Sequence, residues 1–243
     1  MDTKSTAGEP GQDDTGFRLL VTVHVAVFSL RDDDLQVLLA CSDPEQAPWA
    51  IPGGPIGRGE PLEVAAVRTL EDQTGLRDVY LEQLYTFGRP DGPSGGPAIA
   101  VVYLAVASAA DVPAAAGVGT RAGSTGQERG LRVRWWSIYA LPPLAFDHAA
   151  ILGYALIRLR FKLEYTAVGF ELLPATFTLS ELQKAYEVIL GEELDKRNFR
   201  RKILAAGIIE PTGGTRGGEG RPAQLYRYRE DAVAEVKSRR LFP

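Results

Sequence analysis

Residues 53–76, GGPIGRGEPLEVAAVRTLEDQTGL, combine a glycine-rich loop, a helix and a glycine stop. Gly53, Gly54, Gly57 and Gly59 allow a tight turn and a close approach of backbone to a ligand. Pro61 suits a first helical position and Gly75 a C-terminal cap. Leu62, Ala65, Ala66, Thr69, Leu70 and Gln73 give the helix one small-to-apolar face. Positions 69, 72 and 73 are related by i, i+3 and i+4, so their side chains share a face. They carry a hydroxyl, a carboxylate and an amide. Glu71 lies roughly 100–200° around the helix from them, at 3.6 residues per turn, and cannot join that face.

Working outward, the segment before the loop reads as strands. LLVTVHVAVFSL, from Leu19, is rich in β-branched residues, and LQVLLACS returns after the charged turn from Arg31 to Asp34. His24 has no second metal-type ligand nearby and reads as a hydrogen-bonded structural histidine. Further strands are expected at residues 79–87, 98–107 and 131–138, with a turn-rich connector at 88–97 and a flexible loop at 111–130. Residues 1–16 read as a disordered, polar tail without the apolar core of a signal peptide or anchor. Cys41 is the single cysteine, which excludes an intramolecular disulfide and a cysteine-rich metal site. No uncharged apolar run approaches a membrane span, so the expected location is cytoplasmic.

Charge divides the chain. Residues 1–147 hold 11 Lys/Arg against 19 Asp/Glu, and residues 148–243 hold 16 against 12. An acidic front and a basic back suggest two units with different partners. Between them, residues 148–165 pattern as an amphipathic linker helix, with a boundary around 166–176 marked by Gly169 and Pro174. Thr178 or Ser180 can then cap a helix whose apolar set is Leu182, Ala185, Tyr186 and Ile189, ended by Gly191. Asp195 can cap a second helix, stopped at Gly207. Two helices across a short glycine turn form a helix-turn-helix pattern. Phe199, Ile203 and Leu204 are expected to face inward. Lys196, Arg197, Arg200, Arg201 and Lys202 are expected to point outward, with Asn198 at the N-terminal end that reaches bases. A hairpin follows, with a glycine-rich tip carrying Arg216, Arg221 and Gln224, and it reads as a DNA-binding wing.

The loop and helix resemble the Nudix box at Gly54, Glu60, Arg68, Leu70, Gly75 and Leu76. Thr69, Asp72 and Gln73 depart from it, standing where that family carries three glutamates for divalent cations. Together with LAFDHAAIL at 144–152, LDKRNFRRKIL at 194–204 and GRPAQLYRY at 220–228, the chain is similar to the Nudix-related transcriptional regulators. That resemblance implies an α/β (α+β) architecture: a Nudix-like αβα sandwich over residues 17–147, the linker helix, and a winged helix-turn-helix over 166–243. It implies a homodimeric repressor of NAD synthesis or salvage genes, binding double-stranded operator DNA and an ADP-ribose-type nucleotide. The ligand residues expected are Gly53, Gly54, Arg58, Glu60, Arg68, Asp72 and Arg89. The DNA residues expected are Thr178, Ser180, Lys196, Arg197, Asn198, Arg200, Arg201, Lys202, Arg216, Arg221 and Gln224. No catalytic residue, metal ligand or required cofactor is expected, with Mg²⁺ entering only as a bridge to a bound nucleotide. The alternative is a Mg²⁺-dependent ADP-sugar or dinucleotide pyrophosphatase with an appended nucleic-acid-binding module.

Overall fold

Val25, Ala26, Val27 and Phe28 are apolar in succession because both faces of their strand are covered, and all four are fully buried. The computed structural model describes residues 19–45, 47–90, 92, 96–109, 119–120, 130–165, 167–217, 222–229 and 231. The N-terminal tail, most of the 111–130 loop and Arg221 lie outside the described residues. Strands β1 (Leu20–Arg31), β2 (Asp34–Cys41), β3 (Gly53–Pro55), β4 (Tyr80–Arg89), β5 (Ala98–Val106), β6 (Gly119–Thr120) and β7 (Gly130–Ser137) form one mixed sheet. Its order is β4-β5-β1-β2-β7-β6, with β3 also paired to β1. The β1–β2 turn is two residues long, with Asp32 and Asp33 both in the left-handed region (φ 52 and 59).

Helix α1 (Leu62–Thr74) covers one face. Ala65, Ala66 and Leu70 pack there against Val23, Val25, Val27, Val101 and Tyr103. Helix α2 (His148–Tyr165) covers the other face, where Ile151, Leu152, Ala155 and Leu159 meet Ala26, Phe28, Val37 and Leu104. This is the αβα sandwich. Gly75 ends α1 in the left-handed conformation (φ 73), as a glycine stop should. Two local expectations shift. The first three glycine-loop residues are strand β3, and Pro61 is the extended N-cap rather than the first helical residue.

After α2 a 3-10 helix (Ala167–Leu172) and a short strand β8 (Phe177–Thr178) occupy the boundary segment. Helices α3 (Leu179–Leu190) and α4 (Lys196–Ala205) follow, then β9 (Ile209–Arg216) and β10 (Ala223–Tyr228). The wing is three-stranded, ordered β8-β10-β9. Phe170 stacks on Tyr228 with ring centroids 4.7 Å apart and leans on Phe177. The core is continuous from the sheet through α2 into this head, reaching Leu182, Tyr186, Phe199 and Ile203. No helix among the described residues is long and apolar enough to cross a membrane.

Candidate functional site

The glycine loop is held by side chains of its own motif. Gln73 grips Gly53 from both sides: its Oε1 accepts the Gly53 N–H at 3.1 Å and its Nε2 donates to the Gly53 carbonyl at 2.8 Å. Glu60 accepts the Gly57 N–H at 2.7 Å and two bonds from Arg68, at 2.7 and 2.9 Å. Arg68 and the Gly57 amide hold the Glu60 carboxyl down to about 2. Arg68 also lies 3.7 Å from Asp72, an exposed i, i+4 pair. Three groups of the loop and helix are engaged within the chain. The amides of Gly53 and Gly57 are donated within the chain, and the Arg68 guanidinium turns onto Glu60 and Asp72. These groups brace the loop, while the Arg68 side chain stays exposed. Gly54 sits in β3 opposite Val23, and Arg58 is exposed at the loop tip.

The face at 69, 72 and 73 carries a single carboxylate. Thr69 is buried with its hydroxyl unpartnered, Gln73 is committed to Gly53, and Asp72 alone carries a charge. One exposed carboxylate beside an arginine is a poor donor set for a hard divalent cation. Among the described residues no group of three or more His, Cys, Asp or Glu gathers to hold a metal.

Arg89 stands apart, at the end of β4 on the α2 side of the sheet. It pairs with Asp147 (Nε to Oδ2 3.0 Å), and its guanidinium carbon lies 5.5 Å from the Phe146 ring centroid. With Thr22, His24, Ala98, Ala100 and Phe146 it lines a small cavity of about 60 Å³. His24 connects this cavity to the glycine loop, because a Cβ on Gly53 would lie 2.2 Å from its Nδ1. Glycine is therefore required at 53. His24 also meets His148 edge to face at 5.1 Å, and His148 Nδ1 accepts the Ile51 N–H at 3.1 Å. Burial, then the Arg89 charge, pushes His24 down to about 4. Burial, then His24 and Arg89, pushes His148 down to about 3. Both rings are neutral at pH 7. Phe146 holds a positive φ of 50 and is 68% exposed, an arrangement that leaves an aromatic face open beside a cation.

Thr22, His24, Phe146, Asp147 and His148 were not among the expected ligand residues. His24 sat in an unremarkable strand, and only the chain reversal onto β1 brings the Phe-Asp-His run beside it.

In the head, Asp195 caps α4 through the Asn198 N–H at 2.7 Å. Phe199 and Ile203 are buried, Phe199 against Tyr186. Lys196, Arg197, Asn198 and Arg201 are exposed on the opposite side, with Arg201 donating to Asn198 Oδ1 at 2.8 Å. Arg200 reaches back to Ser180 Oγ at 3.1 Å, and Lys202 is half-buried. Three of the expected DNA residues also make bonds within the chain, and one residue expected inward lies outward. Thr178 is 6% exposed, and its hydroxyl accepts the Glu181 N–H in a capping box, so it caps α3 as its position in the sequence suggests. The Gln224 amide is bonded to the carbonyls of Gly214 and Leu225 inside the wing. Arg216 is tied to Glu181 and to the Thr176 carbonyl. Leu204 is 48% exposed, because it follows the buried Ile203 by one residue and so is turned about 100° off the inward face.

Hydrogen bonds that sequence did not reveal join the head to the sensor. Tyr139 donates to the Val188 carbonyl and Arg160 to the Ile189 carbonyl, each at 2.8 Å, at the C-terminal end of α3.

A sandwich with a Nudix-type loop and helix, fused to a winged helix with an exposed cationic α4, defines a sensor coupled to a DNA-binding head. The chain belongs to the Nudix-related transcriptional regulators: the NUDIX domain model matches residues 21–153 and the NrtR DNA-binding winged helix domain matches 169–228. It is 35% identical over 215 residues to the ADPR responsive transcriptional repressor NtrR of Acinetobacter baylyi, covering 86% of this chain and 82% of that one. It superposes on Shewanella oneidensis NrtR complexed with a 27mer DNA with a TM-score of 0.75 and 32% identity, covering 91% of this chain and 99% of that one. An ADP-ribose pyrophosphatase of Methanocaldococcus jannaschii is 28% identical over 138 residues, covering 56% of this chain and 75% of that one.

Proposed function

We propose that this chain is an ADP-ribose-responsive repressor of NAD synthesis or salvage genes, whose Nudix fold binds nucleotide without hydrolysing it. The observation that carries this reading is the Gln73–Gly53 brace. An amide that both donates to and accepts from one backbone residue does a job no ionised glutamate can do. The helix face that would hold cations has been rebuilt as a strut, and the same core continues into a DNA-binding head.

In this reading the ligand lies at the junction of β3 and the Arg89–Phe146 cavity. Arg89 and the exposed Arg58 supply positive charge for a diphosphate, and Phe146 supplies a ring face for a base or sugar. Binding needs no resident metal, and any Mg²⁺ acts only as a bridge between the ligand and Asp72. Lys196, Arg197, Asn198 and Arg201 enter the major groove, with the wing alongside.

The test is a fluorescence-polarisation titration with DNA from the protein's own operon, with and without ADP-ribose, in Mg²⁺ and in EDTA. ADP-ribose should lower DNA affinity by about 5- to 150-fold in both buffers, the range of ordinary allosteric couplings. In parallel, ADP-ribose should stay intact. The pyrophosphatase relative motivates that second assay, and Mg²⁺-dependent turnover near ~1 s⁻¹ would replace this reading with the enzyme.

A further inference from the structure

A second cavity, of about 430 Å³, opens where the sensor meets the head, against about 60 Å³ at the Arg89–Phe146 cavity. Packed interiors hold few voids larger than a water, whereas small-molecule sites run to about 300–1,000 Å³. The floor is apolar and comes from both units. Leu30 lies near the end of β1, Leu172 and Leu173 at the end of the 3-10 helix, and Ala185 and Val188 on α3. This hollow is at the opposite end of β1 from Thr22 and His24. At about 3.3 Å per residue, that is roughly 20–26 Å from the Arg89–Phe146 cavity. The two cavities share no lining residue.

Charge at the mouth selects the occupant. Asp32 and Asp33, the two residues of the β1–β2 turn, are exposed on the sensor side, and Lys184 is exposed on the head side. None of the three holds an ion pair or hydrogen bond among the described residues. Glu181 also lines the cavity, but its carboxyl is taken by the Thr178 N–H at 2.8 Å and by Arg216. The free charge is therefore two carboxylates against one ammonium. A net negative rim over an apolar floor suits a positive head on an apolar body, and it repels an anionic nucleotide. No aromatic ring is among the lining residues, so carboxylates and aliphatic contact would hold the cation, without a ring face beneath it. We propose that this cavity binds an organic cation, an amine carried on an aliphatic body, at a site separate from that of the nucleotide. An occupant touches sensor and head at once, and binding to the folded chain alone raises its Tm.

The test uses the full chain without DNA or ADP-ribose, so its failure is separate from a failure of the regulator reading. Calorimetric titration compares three probes that share one apolar cage and differ in charge: adamantylamine, adamantanol and adamantanecarboxylate. The amine should bind about 5-fold or more tightly than the alcohol, as two exposed charge pairs allow, and the carboxylate should bind most weakly. Asp32→Asn/Asp33→Asn should bring the amine down to the level of the alcohol. Asparagine tolerates the left-handed backbone of both positions, so the turn survives that change. Lys184→Gln should widen the preference for the amine. Val188→Phe should fill the hollow and weaken the amine and the alcohol alike. Four results would each overturn the proposal: no binding of the amine at millimolar concentration, equal affinity for amine and alcohol, a preference for the amine that survives in the aspartate variant, or unchanged binding in Val188→Phe.

Discussion

Restoring a glutamate to the Nudix helix should destabilise this protein. In Gln73→Glu the Gly53 N–H keeps an acceptor, but the Gly53 carbonyl loses the donor now at 2.8 Å and faces a carboxylate oxygen instead. Losing one hydrogen bond costs about 0.5–1.5 kcal/mol net, and leaving a buried acceptor unpaired costs about 1–3 kcal/mol. Gly53 is half-buried, so water relieves part of the second cost and the total should be about 1–2 kcal/mol. For a chain of this size that is a fall in Tm of roughly 2–8 °C, at about 2–4 °C per kcal/mol. The deficit should depend on pH. The folded state disfavours the new carboxylate, so its folded pKa lies above the unfolded value near 4.3. The penalty is therefore full above the folded pKa and shrinks as pH falls through it, because a protonated carboxyl can again donate to Gly53. Differential scanning calorimetry at pH 7.5 and at pH 4.5, each against the native chain, reads both effects. A variant as stable as the native chain at pH 7.5, or a deficit that widens on acidification, would refute the brace.

The head and its cap should separate cleanly: Thr178→Ala should cost about 1 kcal/mol of stability through the lost cap and spare DNA affinity per folded molecule. Arg197→Ala and Arg201→Ala should leave Tm unchanged while weakening DNA binding, and each should flatten the salt slope by about one if it contacts a phosphate. The two buried imidazoles should make the native chain acid-sensitive. Each has a folded pKa below its unfolded value near 6.5, so stability should be level above about pH 6.5 and fall toward pH 4 as the unfolded state takes up protons. His148→Gln should reduce that slope in calorimetry. Removing the sensor–head bonds in Tyr139→Phe/Arg160→Ala should leave ADP-ribose affinity unchanged by calorimetric titration and move the ratio of DNA affinities with and without ADP-ribose toward one.

What sequence could and could not show follows from the range of each signal. Caps, glycine stops and apolar periodicity are local, so α1, α3 and α4 were legible from Gly75, Thr178, Gly191 and Asp195 alone. The spacing of Thr69, Asp72 and Gln73 located the altered face, but not the use to which Gln73 is put, because its partner Gly53 lies 20 residues away. Strand β8 is two residues long and carries no pattern of its own. The cavity was illegible for a stronger reason. It joins His24 and Thr22 to Arg89 and to residues 146–148, and only the pairing of β1 with β5 and the placement of α2 fix that meeting. Arg200, which looks free on a helical wheel, finds a partner across the fold at Ser180.

The magnitudes also decide where the switch must lie. A ligand changes DNA affinity only by the difference in its own affinity for two arrangements, and ordinary couplings are about 1–3 kcal/mol. Sensor and head share one apolar core: Leu159 and Leu163 of α2, Leu182 and Ile189 of α3, and Phe199 of α4 are all buried within it. Truncating even one buried leucine costs about 2–5 kcal/mol, so prying the head from the sensor would cost several times what the ligand can supply. The Tyr139 and Arg160 bonds to the end of α3 add to that rigidity. The head therefore travels with α2 as one body, and a coupling of about 1–3 kcal/mol is too small to come from separating the two.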